Sequence, residues 1–92
     1  MATTIELTFQ KADTGKYTAS FVSNGSPAVV QLQRKLSASV KVYANLDGMN
    51  PIPVDYKLYG TGDVIFQVEV PADIEVTVES PTEVQTANLL MQ

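Results

Sequence analysis

VIFQVEVPADIEVTVES, residues 64–80, decides the fold of this chain. Val64, Phe66, Val68 and Val70 alternate with Ile65, Gln67 and Glu69. After Pro71 and Ala72 the alternation resumes, with Ile74, Val76 and Val78 set against Asp73, Glu75, Thr77 and Glu79. A period of two sends successive side chains to opposite faces of a strand. The second run therefore has one apolar and one acidic face, as a half-buried antiparallel strand does. Pro71 suits the second position of a type I turn, whose twist fits a tight hairpin poorly. Residues 70–73 are thus expected to arch between two sheets, and the rest of the chain supplies the opposite layer of the core.

Toward the N-terminus, residues 3–10 alternate Ile5, Leu7 and Phe9 against Thr4, Glu6 and Thr8. Residues 16–23 carry Tyr17, Ala19 and Phe21 on one face. Asp13, Thr14 and Gly15 between them are turn residues, so the two runs are expected to form a hairpin. Asn24-Gly25 is the dipeptide favoured in two-residue hairpin turns, because a type I′ turn needs positive φ twice. Pro27 cannot donate to a ladder and marks a strand start. A third strand is expected over residues 28–34 with Val30 and Leu32 inward, ending in a basic corner, Arg34 and Lys35, that reads as solvated. Residues 37–46 place Ala38, Val40, Val42 and Ala44 against Ser39, Lys41 and Tyr43. Pro51 and Pro53 put the following strand, over residues 54–59, at an edge. Residues 60–63 and 80–82 are turns, and residues 83–91 form the last strand. No stretch keeps a helical period. Seven or eight short strands, with turns about every 8–12 residues, read as an all-β, immunoglobulin-like antiparallel β-sandwich in one domain over residues 1–92.

At 92 residues the chain buries about 60–65% of its unfolded surface, enough for one modest core. Cysteine is absent, which excludes disulfides and thiolate chemistry and fits synthesis in a reducing cytosol. Residues 1–20 hold no apolar signal core and no later run approaches a membrane span, so no membrane partner is expected. The net charge of −4 argues against nucleic acid. Up to Leu46, five cations against two carboxylates give +3; from Asp47 onward, one lysine against eight carboxylates gives −7. Either neighbouring strands pair these charges across one sheet, or the molecule has a basic and an acidic pole suited to docking partners or further copies.

Histidine is missing, which removes Ser-His-Asp and Cys-His nucleophile systems and Cys/His zinc sites. Asp73, Glu75 and Glu79 could in principle serve a glycosidase, but intervals of two and four on one strand face read as a solvated acidic face that guards against edge pairing. Asp47, Asn50 and Asp63 could give calcium some oxygens, yet their spacing is not that of an EF-hand loop. Gly60-Thr61-Gly62 lacks the lysine and helix of a phosphate loop. Asn24-Gly25-Ser26 matches a glycosylation sequon and, with no leader, reads as a turn. No catalytic residue, metal ligand or cofactor is expected. Among the aromatics, Phe9, Tyr17, Phe21 and Phe66 fall at core positions. Tyr56 and Tyr59 lie three apart on a short strand and point to opposite faces, so at most one is an exposed platform for a carbohydrate.

The opening hairpin with Lys16-Tyr17-Thr18-Ala19-Ser20-Phe21, and the closing run from Asp73 to Pro81, sit in a cysteine-free chain near 90 residues. In these features the chain resembles the small immunoglobulin-like auxiliary, or decoration, capsid proteins of tailed bacteriophages, especially crAss-like phages. The resemblance implies a non-catalytic virion protein made in the bacterial cytoplasm, bound in many copies to the major capsid protein, with self-association as a further possibility. Tyr56, Tyr59, Leu89, Leu90 and Met91 are the candidate partner-binding residues. No charge follows Glu83, and Leu89, Leu90 and Met91 are consecutive apolar residues. A one-sided strand would not place Leu89 and Leu90 on opposite faces unless both faces were covered, by a partner or by this chain. The rival reading is a small carbohydrate- or protein-binding β-sandwich module.

Overall fold

The computed structural model describes residues 3–36, 39–45, 52–57 and 62–91. They hold nine strands: β1 (Thr3–Glu6), β2 (Gln10–Lys11), β3 (Tyr17–Val22), β4 (Ala28–Gln33), β5 (Val40–Asn45), β6 (Ile52–Lys57), β7 (Val64–Val68), β8 (Glu75–Ser80) and β9 (Thr86–Met91). One sheet has the order β1-β9-β4-β7 and the other β2-β3-β8-β5-β6. All pairings are antiparallel. The expected all-β sandwich is therefore present. Val64, Phe66 and Val68 of β7 face inward, as do Val30 and Leu32 of β4, Val40 and Val42 of β5, and Val76 and Val78 of β8. Leu89 and Ala87 complete the layer from β9.

Connectivity departs from the immunoglobulin-like order. Only the β2–β3 and β5–β6 connections stay within one sheet; the other six cross. The first strand lies beside the last, which is the interleaved order of a jelly roll. The run 3–10 shows why. Leu7 still donates its N–H to the Ala87 carbonyl (2.9 Å), but the chain then crosses, and β2 pairs only Gln10 with Thr18 and Lys11 with Tyr17. The expected first strand is thus two strands, and the expected hairpin is two residue pairs long. Ile5 faces Leu89 but stays 43% exposed, because β1 is an edge strand.

Asn24-Gly25 is not a hairpin turn either. It carries the chain from β3 to β4 in the other sheet, and of the two residues Gly25 alone has positive φ (89°). The arch at 70–74 meets it. Ser23 donates its N–H to the Ile74 carbonyl (2.9 Å) and its hydroxyl to the Val70 carbonyl (3.1 Å), while the Asp73 N–H reaches the Ser23 carbonyl (2.8 Å). A side chain at Gly25 would press on Ala72, with Cβ to Cβ 3.3 Å. The expected arch after β7 is present, with Asp73 at φ 67°.

The basic corner is half corrected. Lys35 is exposed, but Arg34 is 4% exposed and bonded across the core end. Its Nε donates to the Gly62 carbonyl (2.9 Å) and its Nη1 to Ser80 Oγ (3.1 Å). The charge asymmetry resolves into strand pairing at one point: Lys41 lies opposite Glu79, and Lys16 Nζ is 3.6 Å from Glu79 Oε1. With Lys16 half-exposed, that ion pair contributes about 0–1 kcal/mol.

Candidate functional site

Each sheet turns one face outward, and the two faces differ in chemistry. On the five-stranded sheet, directly opposed residues share a face, so the register builds rows across it. Gln10, Thr18, Glu79 and Lys41 form one row. Ser20, Thr77 and Tyr43 form the next, and Val22, Glu75 and Asn45 the third. Thr77 is tied to Ser20 by a hydroxyl bond of 2.9 Å. Tyr43 thus stands half-buried among hydroxyl, amide, carboxylate and ammonium groups.

Local sequence explains its placement. Tyr43 alternates with the buried Val42 and so points outward. Beside it the β5–β6 register shifts, pairing Val42 with Asp55 but Tyr43 with Pro53. Val54 is the extra residue of a bulge, a device that absorbs a proline in an edge strand and re-aims its neighbours. Sequence reading put Tyr43 on the outward face but did not weigh it as a platform. What makes it one is the neighbouring strand β8, which lies 34 positions away at Thr77.

The four-stranded sheet presents two rows of another kind. Thr4, Leu90, Val29 and Gln67 make one, and Glu6, Asn88, Gln31 and Ile65 the other. Glu6 is the sole ionisable side chain of these eight, and Ile65 is 64% exposed.

The predicted partner residues scatter across this frame. Tyr56 lies in β6 at the register position opposite Lys41, and Tyr59 lies outside the described residues, as do Asp47 and Asn50. Leu89 is fully buried in the core, and Met91 packs half-buried against it. Leu90 alone of that trio is on an outward face. β9 runs between β1 and β4, so it offers no open edge; one of its faces packs on the core and the other, at Leu90, is half-buried on the outside of the sheet.

The two glutamates of β8 do not converge. Glu75 and Glu79 sit four positions apart on β8, about 13 Å along the strand, beyond the roughly 5–9.5 Å of a glycosidase pair. Asp73 is on the arch, off the strand. Among the described residues no group of three acidic, histidine or cysteine side chains could hold a metal ion. A cleft of about 310 Å³ opens at the end of the sandwich, lined by Lys35, Leu36, Thr82, Glu83 and Gln85. Thr82 Oγ1 is buried there without a hydrogen-bond partner.

No family model matches the chain, and no curated protein matches it. Solved structures share its fold. A family two carbohydrate esterase from Cellvibrio japonicus superposes over 99% of this chain with a TM-score of 0.62 at 13% identity, covering 33% of that protein. A protein described as a GDSL-like lipase, from Bacteroides ovatus, matches 83% of this chain with a TM-score of 0.60 at 11% identity, covering 27% of its own length. A xylan binding module, CBM86 from Roseburia intestinalis, matches 100% of this chain with a TM-score of 0.52 at 9% identity, covering 95% of its own length. The chain spans about a third or less of the first two and nearly all of the third. At these identities the likeness is one of fold, the β-sandwich.

Proposed function

We propose that this chain is a non-catalytic binding module that takes a polysaccharide on the outer face of its five-stranded sheet. The observation that carries the reading is Tyr43, flanked on one flat face by Thr77, Lys41, Asn45 and the two glutamates of β8. An aromatic face is electron-rich, and the C–H side of a sugar ring is weakly positive, so the two stack. A few polar groups around the ring then fix the hydroxyls. The fold likeness to a xylan binding module along nearly that module's whole length supports the same reading. So does the separation of Glu75 from Glu79, which is too wide for a glycosidase pair.

Titration with xylohexaose, followed by calorimetry, tests it. Tyr43→Ala should weaken binding about tenfold or more, whereas Leu90→Glu on the opposite sheet should leave affinity unchanged. Xylohexaose and a glycan array both giving no binding would remove the proposal, and loss with Leu90→Glu alone would move it to the other face.

A second reading, an auxiliary capsid protein on a virion, would use the four-stranded face, whose make-up suits a protein contact. Interface centres are depleted of charge, and Leu90, Val29 and Ile65 lie there among amides. On that reading Leu90→Glu, and not Tyr43→Ala, should stop the chain cosedimenting with a co-expressed major capsid protein.

A further inference from the structure

The sandwich has four sheet edges, and three carry devices that discourage another strand from pairing with them. β2 is two residues long, and β1 is four residues long and ends in Glu6. β6 holds Pro53, Asp55 and Lys57 beside a bulge. Short strands, prolines, bulges and charges are the usual protections of an edge. Within its span β7 has no proline, bulge or charge. Its five residues, Val64–Val68, are uncharged and free of proline, and among the described residues no strand pairs with its second edge. Ile65 and Gln67 are exposed on its outer side.

The charges at its two ends decide what fits. Asp63 precedes the strand and Glu69 follows it, and both are exposed. A second copy pairing about a two-fold axis with all five residues of β7 engaged would centre on Phe66. That register sets Asp63 against Glu69 of the other copy at both ends, and like charges directly opposite are destabilising. A strand with cations at its ends avoids that repulsion and sets one of them beside the exposed Glu69.

We infer that the open edge of β7 is a strand-addition site for an extended segment of another protein, apolar at alternate positions and carrying Lys or Arg at both ends. Main-chain hydrogen bonds hold such a segment, while its side chains set specificity. The inference stands on the edge alone and is independent of what the sheet faces bind.

The test uses the full chain and two labelled peptides, Lys-Val-Thr-Val-Thr-Val-Lys and Glu-Val-Thr-Val-Thr-Val-Glu, at low salt. The basic peptide should bind at least about tenfold more tightly than the acidic one. On binding, amides of residues 64–68 that exchange rapidly in the chain alone should become protected. Glu69→Lys should weaken the basic peptide and shift the chain from monomer to dimer in sedimentation velocity, because the end pairs become complementary. Equal binding of the two peptides, no new protection in residues 64–68, or β7 amides already fully protected in the chain alone would each overturn the inference. So would a Glu69→Lys chain that stays monomeric and binds the basic peptide as before.

Discussion

Val76→Asp should leave the domain unfolded, while Glu75→Gln one position away should melt within a few degrees of the parent. Val76 is 0% exposed near the start of β8, the central strand of its sheet, between Phe21 of β3 and Ala44 of β5. Removing it loses about 1.5–3 kcal/mol of apolar burial. The new carboxylate adds a desolvation cost of several kcal/mol, or must bind a proton to stay in the core. Small domains have only about 5–15 kcal/mol in total. Glu75 points the other way into solvent, where a substitution changes stability by about ±0.5 kcal/mol. Far-ultraviolet dichroism and thermal melts measure both. A Glu75→Gln melt far below that of Val76→Asp would shift the register of β8 by one residue and turn the sheet inside out.

The strands were legible in the sequence because their period is local. Val64, Phe66 and Val68, or Val76 and Val78, reveal the inward face without reference to anything else. Pairing is not local in this fold. Asn24-Gly25 looks the same whether β3 and β4 are neighbours in one sheet or sit in two, and what sends it across is Ser23 locking to Ile74 and Asp73 some 50 positions on. Leu89 and Leu90 are legible as a strand with apolar residues on both faces, of which the core takes only Leu89. The sequence could not place that strand in the interior of a sheet, since its neighbours β1 and β4 both lie far earlier in the chain. Tyr43 became a candidate only when β8 and β5 were set side by side. The candidate site was therefore mostly hidden, because a flat binding face is made by rows across strands, and rows have no signature along the chain.

Arg34 is the strongest instance of the same limit, and it carries the second large expected effect. Its guanidinium reaches partners 28 and 46 positions away, joining the end of β4 to the start of β7 and the end of β8. The join ties both sheets at one end of the sandwich. Ser80 Oγ passes it on, donating to the Thr82 carbonyl (2.8 Å) and accepting from the Thr82 N–H (3.3 Å). Hydrogen bonds from a charged donor are worth about 1.5–3 kcal/mol each. Arg34→Met keeps the length of the stem and removes both, so a loss of about 3–5 kcal/mol is expected, or a melting temperature lower by roughly 12–30 °C for a domain this size. Arg34→Lys should recover only part of this, because one ammonium lacks the planar fork that serves two acceptors. Gly62→Ala attacks the same joint from the backbone. An added Cβ would overlap the Arg34 carbonyl oxygen and lie 2.9 Å from its carbon. Relieving that contact moves Gly62 away from β4 and stretches the Arg34 Nε bond to its carbonyl. The two substitutions should therefore be non-additive, with the double variant less destabilised than the sum of the singles. Chemical denaturation of the four proteins gives the coupling directly. Strict additivity, or an Arg34→Met variant within about 1 kcal/mol of the parent, would mean that the guanidinium does not hold the sheets together at this end.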